Sequence, residues 1–218
     1  GQAIDADKKL INLTIKKSLN FKCRLNSHKR SLILKKTAEK VRKRKTEFAN
    51  VIVNELGVSF NDALYEVDRV IKCAEISSKI CRYIDKDITH KFIINKNQKP
   101  KLKVISEPLD LVLAITPFNL PMILAAHKIF PAIVAGTPII LKPSEKSPLS
   151  SIKLLKTLIK SGLPSNMVNI ITGKNGKKII SSILSNPKIN LITFTGSSKV
   201  GKNLKRMMVA KNHHLKKF

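Results

Sequence analysis

Leu111-Val112-Leu113-Ala114-Ile115-Thr116-Pro117-Phe118-Asn119-Leu120-Pro121 decides the fold. Its first five residues are apolar without a break, end at a Thr-Pro step, and give way to a helical pattern over 122–134. A short continuous apolar run bounded by turn residues reads as a strand buried on both faces. Three more runs follow in the same rhythm, at 138–141, 167–171 and 190–193, separated by helical patterns at 150–161, 177–184 and 199–208. The alternation predicts an α/β unit over residues 109–218, a Rossmann-like parallel sheet with helices on both faces.

Upstream, residues 1–84 read as packed helices that precede the sheet. Leu32, Ile33, Ala38 and Val41 recur near the helical period, and Phe48, Val51, Ile52 and Leu56 extend the same face until Gly57 interrupts it. Asn61 is the expected N-cap of a further helix carrying Leu64, Val67, Val70, Ile71 and Ala74. Residues 85–108 are highly charged, hold short apolar clusters such as Phe92-Ile93-Ile94, and are punctuated by Pro100 and Pro108, so they read as an extended connector.

The chain has 218 residues, 43% of them hydrophobic, enough for a sizeable buried core. Forty-two Lys and Arg against 14 Asp and Glu leave a formal charge of +28, which by itself points to nucleic acid or an anionic surface. The lysines are scattered through every segment, and aromatic residues are 5% with no Trp, so there is no basic ladder on which bases could stack. Specific nucleic-acid binding is therefore not expected. Cys23, Cys73 and Cys81 form no CxxC pair and have no His at metal-ligand spacing, so no metal is expected and the thiols read as reduced. No signal-peptide pattern opens the sequence and no apolar run reaches the ~20 residues of a membrane span, which gives a cytoplasmic expectation.

Each strand of the α/β unit ends in a polar or glycine-rich tip, and in such sheets ligands bind beyond the carboxyl ends of the strands. In Thr116-Pro117-Phe118-Asn119, two prolines at 117 and 121 stiffen the turn that carries Asn119. Its amide could donate to an oxygen that gains charge, or could cap the helix that follows. In Lys142-Pro143-Ser144-Glu145 an ammonium and a carboxylate three residues apart could grip ribose hydroxyls, or could be a solvated ion pair. Phe194-Thr195-Gly196-Ser197-Ser198-Lys199-Val200-Gly201 leads a strand into a helix; its glycines would let the backbone approach a phosphate at the helix N-terminus, or it is a plain turn. It is neither GxGxxG nor a P-loop.

Taken in order, together with Gly162-Leu163-Pro164 and Asn169-Ile170-Ile171-Thr172-Gly173, these tips resemble the aldehyde dehydrogenase superfamily. The resemblance runs back through Glu107-Pro108-Leu109 and Asp68-Arg69 to about Ala6. It implies an NAD(P) site in which Ile115, Thr116, Pro117 and Phe118 line the nicotinamide-ribose side, and Lys142 and Glu145 hold the adenosine ribose with Ser144 nearby. Gly173, Phe194, Thr195, Gly196, Ser197 and Val200 would surround the adenine and pyrophosphate. Asn119 matches the family's oxyanion asparagine, and Lys128 a lysine often found near the active site. NAD is the expected cofactor and NADP the alternative. The resemblance also implies that the 85–108 arm packs on a neighbouring subunit of a homo-oligomer.

In that family a cysteine thiolate attacks an aldehyde, hydride passes to the nicotinamide, and a glutamate activates the hydrolytic water. The glutamate's Leu-Glu-Leu-Gly-Gly-type segment would begin at or just after Phe218, with the cysteine further on, and none of Cys23, Cys73 and Cys81 takes that place. The expectation is a cofactor-binding portion that carries the oxyanion asparagine and is inactive by itself, its catalytic half supplied elsewhere. The alternative is an inactive nucleotide- or partner-binding remnant. Asp110, where the family usually has glycine, and Val58, where lysine is common, depart from the pattern.

Overall fold

The computed structural model describes residues 3–21, 23–84, 88–91, 101–104, 107–189 and 191–211. Four helices come first: α1 (Lys8–Leu19), α2 (Ser27–Lys43), α3 (Lys45–Leu56) and α4 (Phe60–Ile84). Strands β1 (Ile88–Lys91) and β2 (Lys101–Val104) follow as an antiparallel pair, in register from Ile88 opposite Val104 to Lys91 opposite Lys101. Within the connector, residues 88–91 and 101–104 are thus a pair of strands; Phe92-Ile93-Ile94, Pro100 and Phe218 lie outside the described residues. The remainder alternates as expected: β3 (Val112–Ile115), α5 (Pro121–Ala135), β4 (Ile139–Lys142), α6 (Pro148–Lys160), β5 (Val168–Ile170), α7 (Gly176–Leu184), β6 (Leu191–Phe194) and α8 (Ser198–Lys211).

β3 to β6 form one parallel sheet in the order β5-β4-β3-β6. Successive strand side chains point to opposite faces, and the core divides on that rule. Val112, Ala114, Ile139 and Leu141 join a core built with α2, α3, α4, α5 and α6. Leu113, Ile115, Ile140 and Ile192 join a second core with α1, α7 and α8. With both faces covered, every residue of β3 and β4 is buried, which is why their sequences read as unbroken apolar runs. The helices of residues 8–84 do not stay together: α1 crosses to the face of α7, while α2 to α4 cover the other.

Two details of the helical segment differ from the sequence reading. α4 is capped by Ser59, not Asn61: the Asp62 N–H donates to Ser59 Oγ at 3.1 Å and the Ser59 hydroxyl donates to Asp62 Oδ2 at 2.7 Å. This reciprocal Ser-x-x-Asp arrangement places the helix start two residues earlier. In the first of the two runs, now α2, Leu32 is 42% exposed and Leu34 is buried in its place, and the second run, α3, begins after a break at Arg44. Gly57, at φ 68°, ends α3 in the left-handed conformation that favours glycine.

Two carboxylates carried by the helical segment fix where the helices after β3 and β4 begin. Glu66 Oε1, buried on α4, accepts from the N–H groups of Met122 at 2.8 Å and Ile123 at 2.9 Å, the first turn of α5. Glu55 on α3 accepts from the N–H groups of Leu149 and Ser150 and from the Ser150 hydroxyl at the start of α6. Both helices open with proline, lack a local side-chain cap, and have their orphan N–H groups satisfied from across the fold.

Candidate functional site

The strand order reverses between β3 and β6, the point at which an open parallel sheet leaves a crevice beyond its carboxyl ends. A cavity of about 480 Å³ opens there, within the range of about 300–1,000 Å³ usual for small-ligand sites. It is lined from β3 by Ile115, Thr116, Pro117 and Phe118, from the β4 end by Lys142, Ser144 and Glu145, and from the β6 end by Phe194, Thr195, Gly196, Ser197 and Val200. A hollow of about 690 Å³ lies elsewhere, between α1 and the loop at Pro164, but no strand end reaches it. Chemistry, not size, therefore selects the cavity at the strand ends.

Backbone pairing sets the tips beside one another. The Thr116 N–H donates to the Lys142 carbonyl at 3.3 Å and the Thr195 N–H to the Ile115 carbonyl at 3.0 Å, so all three tips stay in register past the sheet. The Ser147 hydroxyl donates to the Phe118 carbonyl at 3.2 Å, and the Lys146 ammonium stands 4.7 Å over the Phe118 ring. Lys128 on α5 donates to Thr193 Oγ1 at 2.9 Å, and burial lowers its pKa.

Lys142 brings a deeply buried ammonium to this wall: it is 4% exposed, and its Nζ donates to Glu145 Oε2 at 3.2 Å. Burial pushes the Glu145 carboxyl up, but its own backbone N–H and the Lys142 and Lys146 ammoniums outweigh that and hold it below the ordinary value. It is ionised at neutral pH. The Thr116 hydroxyl is buried and makes no hydrogen bond to any described residue. A buried, unsatisfied hydroxyl is costly in a closed core and is expected where a ligand supplies the partner.

The glycines of the tips have close neighbours. A methyl group on Gly196 would lie 2.6 Å from Phe194 Cζ, and one on Gly201 would lie 3.1 Å from Phe194 Cε1. At both, the close neighbour is the Phe194 ring, folded onto the turn. Ser197 Oγ accepts from the Val200 N–H at 3.4 Å, which leaves the hydroxyl hydrogen to donate. Gly173 lies outside this cavity. It faces Asp5 Oδ1, on which a Cβ would collide, and lines a separate hollow of about 470 Å³.

Asn119 does not line the cavity either; it is exposed and makes no hydrogen bond to a described residue. It is not the helix cap, since the N-cap of α5 is Leu120 and the N–H groups behind it belong to Glu66. Sequence reasoning missed Gly176, Lys177, Ile180, Asn203, Leu204 and Met207, which complete the wall from α7 and α8. The second glycine of Gly173-Lys174-Asn175-Gly176 was the available signal. Among the described residues, no cysteine lines the cavity and no group of His, Cys, Asp and Glu could hold a metal. No described helix is long and apolar enough to cross a membrane.

The same arrangement of elements recurs in known proteins. The model of the aldehyde dehydrogenase family matches residues 5–218. Lactaldehyde dehydrogenase from Methanococcus vannielii is 36% identical over 197 residues, 88% of this chain and 40% of the relative. 3-Sulfolactaldehyde dehydrogenase from Priestia aryabhattai is 33% identical over 174 residues, 80% of this chain and 36% of the relative. Glyceraldehyde-3-phosphate dehydrogenase from Methanocaldococcus jannaschii, solved with NADP, superimposes with a TM-score of 0.83 at 30% identity, covering 94% of this chain and 45% of that one. The chain spans less than half the length of each of these proteins.

Proposed function

The chain belongs to the aldehyde dehydrogenase family, and from that membership we propose that it is the NAD(P)-binding portion of an enzyme that oxidises an aldehyde to a carboxylic acid. The observation that carries this reading is the convergence of three strand tips on one cavity around the buried Lys142 and its partner Glu145. The residues fit a dinucleotide: an ion pair suited to a ribose, a helix start at Ser197 suited to a pyrophosphate, and the unpartnered Thr116 hydroxyl in the wall between. The nicotinamide, when bound, supplies the hydride acceptor.

The chain's own residues orient and hold. Lys142 and Glu145 take the adenosine ribose, Ser197 donates toward the pyrophosphate, and Phe118 with Pro117 forms the apolar wall at the nicotinamide end. Asn119, exposed on the turn after β3, offers its amide to the aldehyde oxygen as charge builds on it. Gly173 acts at one remove, by letting the β5–α7 loop settle against the N-terminal segment. The helices of 1–84 and the sheet of 109–218 serve as one cofactor-binding body, with the 85–108 strand pair as the arm for subunit contacts. Because no cysteine among the described residues reaches the cavity, the chain by itself binds dinucleotide without turning over aldehyde.

Calorimetric titration of the chain with NAD and NADP tests the reading. Saturable binding is expected, weakened at least about tenfold in Lys142→Ala and measurably in Glu145→Ala. A chain with a native circular dichroism spectrum that binds neither dinucleotide would sink it.

A further inference from the structure

We propose a second binding site, remote from the cavity at the strand tips: the hollow of about 690 Å³ at the C-terminal end of α1 takes a small organic anion, an apolar body bearing a phosphate, sulfonate or carboxylate. Its volume is within the range of about 300–1,000 Å³ usual for small-ligand sites. α1 starts beside the carboxyl end of β5, where the Ala6 N–H donates to the Thr172 carbonyl. It ends beside the other end of that strand, where Ser18 Oγ accepts from Asn169 Nδ2 at 2.9 Å. The hollow, with Pro164 and Asn166 in its wall, therefore lies at the amino end of the sheet, opposite the strand tips.

Charge sets the sign of the ligand. Lys16, Lys17 and Arg24 stand in the wall, and no carboxylate does. The sequence withholds acid from both segments that build it: between Asp7 and Glu39 there are ten Lys and Arg and no Asp or Glu, and no Asp or Glu follows Glu145. Among the described residues none of the three cations has an ion-pair partner, whereas Arg42, Arg44, Lys45 and Lys153 each have one. Lys16 and Lys17 lie in the last turn of α1, where cations complement the helix dipole. Arg24 lies beyond the C-cap Asn20 and has no such role. Three like charges around one concavity repel one another and focus a positive potential into it, and an anion relieves that repulsion.

The apolar part of the wall says what the anion carries. Leu13, Lys16, Lys17 and Asn20 recur at the helical spacing, on the face of α1 turned away from its buried Ile11 and Ile15. Leu13 is 46% exposed there, and the partly buried Phe21 and Leu25, from the chain after α1, extend the apolar surface among the cations. A bare phosphate would leave that surface wet, and an uncharged body would leave the cations without a partner. The Asn20 and Asn166 side chains, which make no hydrogen bond to a described residue, add amide donors in the same wall.

The test titrates the chain by calorimetry with naphthyl phosphate, and with naphthol and inorganic phosphate, which carry each half alone. Saturable binding of naphthyl phosphate is expected, at least about tenfold tighter than that of either half. Arg24→Ala and Lys17→Ala, both on the surface, should each weaken it about fivefold or more. Lys142→Ala, at the strand tips, and Lys72→Ala, which removes the same charge from an exposed position on α4, should leave it unchanged. No saturable binding by the parent chain overturns the proposal. Loss in Lys142→Ala with retention in Arg24→Ala seats the probe at the strand tips and overturns it too, as does equal weakening in Lys72→Ala, which would reduce the effect to net charge. Inorganic phosphate binding as tightly as naphthyl phosphate overturns the organic part. The dinucleotide reading stands or falls separately, on its own titration.

Discussion

Glu66 accepts two backbone N–H groups through a single oxygen, and this makes its role separable from its charge. Burial is the largest influence on its carboxyl and pushes the pKa up, against the pull of the Ile123 and Met122 N–H groups. The raised value sets a sign: relative to the unfolded chain, Glu66 favours the folded state most below its ordinary value near 4.5, and that contribution is lost as pH rises through the folded value. Glu66→Gln keeps an acceptor oxygen and removes the ionisation. Its stability relative to the parent chain should therefore improve as pH is raised from about 4.5 toward neutrality. Glu66→Ala leaves two buried donors unmet and should cost about 1–3 kcal/mol at any of these pH values. Urea unfolding of the three chains at several pH values measures both effects, and an Ala variant as stable as Gln would show that water replaces the carboxylate.

At the scale of elements, the loop between β5 and α7 is held by residues 4–6, upstream of α1. The Ala6 N–H donates to the Thr172 carbonyl at 3.0 Å, the Thr172 hydroxyl to the Ile4 carbonyl at 2.5 Å, and the Lys174 N–H to Asp5 Oδ1 at 3.1 Å. Gly173 permits this, since a Cβ there would collide with Asp5 Oδ1 and stand 2.6 Å from Ile179 Cδ1. Gly173→Ala should push residues 4–6 off the loop at a cost of about 1–3 kcal/mol, read as earlier proteolysis near these residues and a lower urea midpoint; an unchanged midpoint would mean the segment simply shifts. Local pattern made the sheet legible: β3 and β4 are buried on both faces, and their residues had to be apolar throughout. The tips were legible for the same reason, because each interrupts an apolar run with residues the core cannot use. What pattern could not carry is contact between distant segments. Glu55 meets Ser150 across 95 residues, and α1 lies on the opposite face from α2 with nothing in its own periodicity to say so. The Phe194 ring sits on Gly196 for the same reason: a glycine announces room, not what fills it.

For the whole molecule, charge governs what happens outside the core. The surface pairs Arg42–Glu75 and Lys45–Asp68 each contribute at most about 1 kcal/mol, while an excess of 28 positive charges repels itself throughout the surface. Raising NaCl from about 0.05 to 0.5 M shortens the screening length severalfold, so the melting temperature should rise by a few degrees. A fall would mean that the ion pairs outweigh the repulsion. The strap of residues 4–6 also bears on synthesis. Ile4 leaves the ribosome 168 residues before the threonine it meets, and at about 5–20 residues per second the wait is roughly 8–34 s. Through that interval the helices after α1 can pack while residues 4–6 lack their partner, so a segment made early is among the last to take its place.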